Sequence, residues 1–194
     1  MEAAHTNSGI FQNEQSEVHN GVLTTERFAQ MFDTYYKRVY KYICYRINNH
    51  YAAEDLCSQV FEAVISKYDS FSPEKSNFEV WLFAIARNSV ADYFRMQKRR
   101  ADFSLNSILN RVFPKPSPED IVIRDDNHRA LFKALAKLND KERHIIAMKY
   151  AAGLKNSEIA ELMGVSGSNI GVVLYRSLKK LHKELDLEEV DYES

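Results

Sequence analysis

The chain has 194 residues, room for one ordinary domain or two small ones, and its 26 Lys and Arg against 27 Asp and Glu leave a formal charge of −1. That balance excludes a histone-like polycation that coats nucleic acid indiscriminately. With 45% hydrophobic residues, including 11 Phe and 11 Tyr, the chain is not disordered throughout, and 6 Gly with 4 Pro argue against a turn-rich all-β fold. Cys44 and Cys57 lie in apolar-periodic segments with no CxxC or Cys/His cluster. Neither a disulfide framework nor a metal site is therefore expected, no cofactor motif is present, and a reducing cytoplasm is the expected location. No apolar run approaches the roughly 18–20 residues that cross a bilayer, so no membrane insertion is expected.

Residues 1–23 are polar and aperiodic and read as a flexible N-terminal extension. From Thr24 onward, Phe28, Phe32, Tyr35, Val39, Ile43 and Ile47 recur at steps of three or four, the spacing of one helical stripe. A second stripe of Ala53, Leu56, Val60, Val64, Ile65 and Tyr68 follows Asn48-Asn49-His50, and Glu54 and Asp55 read as acids near its N-terminus. Asp69 to Asn77 is turn-forming, with Asn77 placed to cap a third helix that ends in Arg95, Lys98, Arg99 and Arg100. Trp81 and Phe94 on that helix read as core.

Three of the four prolines fall in residues 102–119, which read as a linker of extended character. Ser117-Pro-Glu-Asp120 has the composition of a helix start, with Ile121, Leu131, Leu135 and Leu138 as its stripe. Asn139 and Glu142 predict a capping box for a helix carrying Ile145, Ile146 and Met148 and ending near Ala152-Gly153. Two more helices are expected, over Asn156–Met163 and from Ser166 to about Leu185. The expected fold is all-α, two small helical domains over 24–101 and 120–185, with an acidic tail at 186–194.

The segment Ser157 to Tyr175 has helix-turn-helix spacing: Ala160 is small where two helices cross, Gly164 permits the turn, and Ile159, Val165, Ile170 and Val173 or Leu174 fill the core. The second helix of such a pair enters a DNA major groove. Ser166, Ser168, Asn169, Gly171, Val172 and Tyr175 are the candidates for base edges, and only Asn169 offers a bidentate contact, to adenine. Arg176, Lys179, Lys180 and Lys183 suit phosphates.

Ahead of it stand Ala53-Glu-Asp-Leu-Cys-Ser-Gln-Val-Phe61 and Phe78-Glu-Val-Trp-Leu-Phe-Ala-Ile-Ala-Arg-Asn-Ser-Val-Ala-Asp-Tyr-Phe-Arg95, then Gln97-Lys-Arg-Arg100. In this order, and over most of the chain, these segments and the helix-turn-helix resemble a bacterial RNA polymerase sigma factor of the sigma-70 family, extracytoplasmic-function group. The resemblance implies a transcription initiation factor, not an enzyme, with 24–101 as sigma domain 2 and 120–185 as sigma domain 4. It implies that Glu54, Asp55, Gln59, Phe61 and Glu62 meet the clamp helices of the largest subunit of core RNA polymerase. Ser76, Asn77 and Asn88 would contact bases or sugars of the promoter −10 element, and Arg87, Arg95, Lys98, Arg99 and Arg100 its backbone. The helix-turn-helix residues Ser166, Ser168, Asn169, Val172, Tyr175, Arg176, Lys179 and Lys180 would bind the −35 element. Gly171-Val172-Val173 replaces the Lys-Ser-Arg-like residues common in the family, so readout there is expected to lean on DNA shape. An anti-sigma partner is implied as well.

The competing reading is a non-sigma helix-turn-helix regulator whose N-terminal helices dimerise or bind a ligand. An enzyme is disfavoured by the absence of a P-loop, a Gly-rich dinucleotide turn, HExxH or GxSxG. His5, His19, His50, His128, His144 and His182 contain no ligand-spaced pair and read as surface residues or helix ends.

Overall fold

The computed structural model describes residues 23–103 and 126–191, all helix and turn with no strand among them. The extension 1–22, the linker from 104 and the Ser117–Asp120 helix start with Ile121 lie outside the described residues. Helix α1 spans Thr25–Ile47, opened by Thr24, whose hydroxyl accepts from Arg27 N–H at 3.3 Å, and closed by Asn48 in the left-handed conformation, φ 52°. Helix α2, His50–Lys67, is capped by Asn49, whose side chain accepts from Ala52 N–H at 2.9 Å. Glu54 and Asp55 therefore stand a turn inside α2 and do not serve its N-terminus, contrary to expectation. A 3-10 turn, Tyr68–Ser70, and a tight loop lead to α3, Phe78–Phe103, which Asn77 opens by accepting from Glu79 N–H at 3.0 Å.

Helix α4 covers Asp126–Ala136 and α5 covers Asp140–Ile146. The Asn139/Glu142 capping box is present, with the Asn139 side chain accepting from Glu142 N–H at 2.9 Å and Glu142 accepting from Asn139 N–H at 3.1 Å. α5 runs on into one π-turn, Ala147–Ala151. Helix α6, Asn156–Met163, and helix α7, Gly167–Asp191, follow. α3 and α7 both outrun the boundaries expected from sequence, α7 continuing through the start of the acidic tail.

The α1 stripe packs on α2 through Val39, Ile43, Leu56, Val60 and Val64, all buried, and α3 closes the bundle with Leu82, Phe83 and Ala86. Cys44 and Cys57 are free buried thiols whose pKa values burial pushes up to about 11 and about 12, so both are protonated core residues. In the second half, Ile145, Ile146, Ile159, Ile170 and Leu174 join α5, α6 and α7.

The two halves share a seam. α1 buries a second face, around Tyr42 and Arg46, against α5 and the π-turn. Arg38 anchors it: two nitrogens donate to the Glu79 carboxylate at 2.9 and 2.6 Å, Nε donates to the Ala152 carbonyl at 2.7 Å, and the guanidinium lies over the Tyr35 and Phe83 rings. Gly153, at φ +75°, is the residue that lets the chain leave the π-turn beside that guanidinium.

Candidate nucleic-acid interface

The helix-turn-helix forms as its spacing predicts. Gly164, φ +64°, ends α6: its N–H donates to the Glu161 carbonyl at 3.3 Å, while Val165 N–H reaches back to the Ala160 carbonyl at 3.1 Å. Ile159, Ala160, Ile170 and Leu174 are buried at the crossing, and Val173 is only half-buried, which resolves the choice between the last two in favour of Leu174. Ser166 caps α7, accepting from Asn169 N–H at 3.3 Å with the Ser168 hydroxyl 3.1 Å away, so its hydroxyl is engaged in the fold.

On α7, Ser168, Asn169, Val172, Tyr175, Arg176, Lys179 and Lys180 are exposed. Residues 168, 172, 175 and 179 follow steps of four, three and four, a single stripe on a helix that turns about 100° per residue. Lys180 is not free of acids as the local sequence suggests: its ammonium donates to Glu142 at 2.6 Å.

In the first half, Glu54, Asp55, Gln59 and Glu62 are exposed along α2 and Ile65, 52% exposed, extends the same helix surface. Phe61, expected beside them, is buried against Phe28, Phe32 and Tyr36 with ring centroids 6.4, 4.8 and 6.2 Å away, and so belongs to the core. Between α2 and α3 a groove of about 800 Å³ is lined by Asp55, Gln59, Asp92, Arg95, Arg99 and Arg100 among others, bringing the acidic and the basic candidates together.

The loop before α3 is anchored by an aromatic cluster, Phe71, Phe78 and Trp81, with centroids 5.2 to 5.7 Å apart. Trp81 is half-buried in it. Phe94 is not core: it is 40% exposed, with the Arg46 guanidinium 5.7 Å from its ring. Of the candidates on this loop and α3, Asn88, Arg95, Lys98, Arg99 and Arg100 are exposed, Arg95 paired with Asp92. Ser76, Asn77 and Arg87 are instead turned to α6: Ser76 Oγ donates to Glu161 at 3.1 Å, Asn77 Nδ2 to Glu158 at 3.4 Å, and Arg87 to the Leu162 carbonyl.

Sequence reasoning missed the seam behind these contacts. Tyr42 and His144 are hydrogen-bonded at 2.9 Å, Arg46 donates to the Asp140 carbonyl at 3.0 Å, and Arg143 donates to the Tyr45 carbonyl at 2.5 Å. Burial, with Arg46 beside it, lowers the Arg143 pKa to about 10. His144 is therefore no surface residue; burial, reinforced by Arg46 and Arg87, lowers its pKa to about 3 and keeps it neutral. The signal that could have exposed the seam is the surplus of aromatic residues on α1, more than one stripe can hold.

Residues 31–100 match the family model for sigma-70 region 2 and residues 128–181 that for sigma-70 region 4, together more than half of the chain. The ECF RNA polymerase sigma factor BldN of Streptomyces coelicolor is 31% identical over 160 residues, covering 82% of this chain and 61% of BldN. SigX of Bacillus subtilis, also named an ECF RNA polymerase sigma factor, is 25% identical over 84% of this chain and 85% of its own. In fold, the chain resembles the sigma factor RpoE from Bartonella quintana, solved with the anti-sigma factor NepR (TM-score 0.66, 24% identity, 84% of this chain and 98% of that one). It also resembles CnrH, solved with the cytosolic domain of CnrY (TM-score 0.61, 19% identity, 89% and 94%). Two family segments in the expected order, on the two helical halves that carry the acidic face of α2 and the exposed stripe of α7, make this chain a member of the sigma-70 family, in its extracytoplasmic-function group.

Proposed function

We propose that the chain is a promoter-specificity subunit that works in the cytoplasm, does no bond chemistry of its own, binds core RNA polymerase, directs it to −10 and −35 elements and assists melting. Residues 24–101 act as domain 2, 120–185 as domain 4 and 102–119 as the linker. The observation that carries the reading is the coexistence, on one chain matching both family regions, of an exposed acidic face on α2 and an exposed basic stripe on α7. Glu54, Asp55, Gln59 and Glu62 meet basic side chains of the largest-subunit clamp helices. Asn88, Lys98, Arg99 and Arg100 are free to hold single-stranded −10 DNA, where a cationic groove tracks the backbone.

Ser76, Asn77 and Arg87 complete that −10 surface only after α6 has left it, because in the packed form their polar atoms are taken by Glu161, Glu158 and the Leu162 carbonyl. The packed form thus presents the polymerase face and the −35 helix while withholding part of the −10 reader. An anti-sigma partner would act on the same surfaces. Copurification with core polymerase and core-dependent run-off transcription test the reading; a helix-turn-helix repressor gives neither, and that result would retire it.

A further inference from the structure

Two of the base-edge candidates on the exposed stripe of α7, Val172 and Tyr175, are apolar and open, one to two turns beyond the polar Ser168 and Asn169. Val172 is 50% and Tyr175 71% exposed, on an element whose apolar residues Ile170, Leu174 and Leu181 are buried, while Leu178, further along, is 41% exposed. They sit between Ser168 near the helix start and Lys179 one turn beyond, so the stripe runs from hydroxyl through methyl and ring to cation. Gly171 adjoins them, and a Cβ built there meets nothing within 4 Å, so nothing in the rest of the protein demands its small size.

The first turns of a recognition helix lie against base edges, and the one apolar group a base pair presents in the major groove is the thymine C5-methyl. No Arg or Lys precedes Arg176 on α7, so guanine O6 and N7 lack a cationic partner there. We propose that Val172 and Tyr175 recognise thymine methyl groups in the −35 element, making α7 a reader of T-containing steps with Arg176 and Lys179 holding the flanking phosphates. This rests on the promoter-binding reading above and names the base class that it selects.

Replacing thymine by deoxyuridine deletes that methyl and leaves every hydrogen-bonding group in place. The full chain, assembled with core RNA polymerase, is used to select duplexes from a library randomised over the −35 segment, and each T of the selected segment is then changed singly to dU. At one or two positions binding of the wild-type chain is expected to fall about fourfold, the worth of one buried methyl, and each such loss is expected to vanish in V172A or in Y175A. Both positions are exposed, so both variants keep the fold, which circular dichroism checks. Unchanged binding of dU duplexes, or a loss that persists in both variants, overturns methyl reading while promoter binding stands. Failure of the holoenzyme to prefer any selected duplex over scrambled DNA removes the promoter-binding reading itself.

Discussion

The Tyr42 hydroxyl and His144 Nε2 lie 2.9 Å apart across the seam, joining α1 of one half to α5 of the other over 102 residues of sequence. Arg46 and Arg87 both bear on the same imidazole. A proton on His144 would be a third positive charge in a desolvated place, so packing of the halves and protonation of this ring oppose each other.

The sign follows from linkage. In water the ring titrates near 6.5, and in the seam near 3. The open form therefore binds more protons between those values, and the packed form, at full strength above pH 6.5, weakens as pH falls toward 3. At pH 5.5 the open-to-packed ratio is expected to rise roughly tenfold over its value at neutral pH. Small-angle scattering or a distance label on each half should show expansion as pH falls, and H144Q, which keeps a polar partner for Tyr42 but does not titrate, should lose it. A pH-independent dimension in the wild type would contradict this.

The contact of α6 with the loop before α3, the proposed −10 reader, gives a second prediction. Glu161→Ala removes the acceptor of Ser76 without touching a helix cap, whereas Glu158 also accepts from Lys155 N–H at 2.7 Å and so holds the start of α6. One hydrogen bond is worth about 0.5–1.5 kcal/mol. E161A should thus raise binding of the free chain to single-stranded −10 DNA by about two- to tenfold, measured by fluorescence anisotropy, and E161Q, whose amide oxygen still accepts from Ser76, should gain less.

Arg38 is the polar group whose loss should hurt the seam most. Its guanidinium serves the Glu79 carboxylate, the Ala152 carbonyl and two aromatic faces, and R38A takes the charged partner from the carboxylate and the Nε donor from the carbonyl. An expected cost of about 3 kcal/mol reflects one broken, part-buried charged pair. R38K should recover little, because an ammonium cannot reproduce a planar fork that bonds in two directions while stacked. Thermal denaturation of the three proteins checks the order.

What could be read in the sequence is what local chemistry specifies. The Asn139/Glu142 box, the Asn77 cap and the Gly164 turn were legible because a cap or a left-handed residue acts within three or four positions. The Val39–Ile43 stripe was legible for the same reason. Arg38, Arg46, Arg143 and His144 were not, since their partners lie about 40 to 110 residues away and leave no period. Phe61 and Glu62 are neighbours in one motif, and only packing separates the buried ring from the exposed carboxylate.

That exposure makes the proposed polymerase face testable without confusion from misfolding. Asp55 and Glu62 are exposed on α2, and D55K and E62K should leave the melting curve within about 0.5 kcal/mol of wild type. Reversing a charge against a basic partner costs several kcal/mol, so each should weaken core polymerase binding at least tenfold, with a smaller loss at high salt. F61A should do the reverse, lowering stability by about 3–5 kcal/mol through a core cavity.

Cations on α7 should separate by their present partners. Each phosphate contact contributes close to one unit to the slope of log binding constant against log salt concentration. R176A and K179A should each lower that slope by about 1 and weaken all duplexes alike, more than any single −35 base change does, none of which should approach about 3 kcal/mol. K180A should lower it less, because Lys180 already donates to Glu142 at 2.6 Å and must leave that carboxylate to reach a phosphate. Glu142→Gln can retain the capping box with Asn139, since Gln serves at that position, yet it removes the opposing charge. E142Q should therefore release Lys180, steepen the salt dependence and tighten −35 binding at low salt, with K180A cancelling the gain in the double variant. A salt titration of holoenzyme binding with these four variants and the E142Q/K180A pair decides it, and equal slopes for K179A and K180A would show that the Glu142 contact does not restrain the helix on DNA.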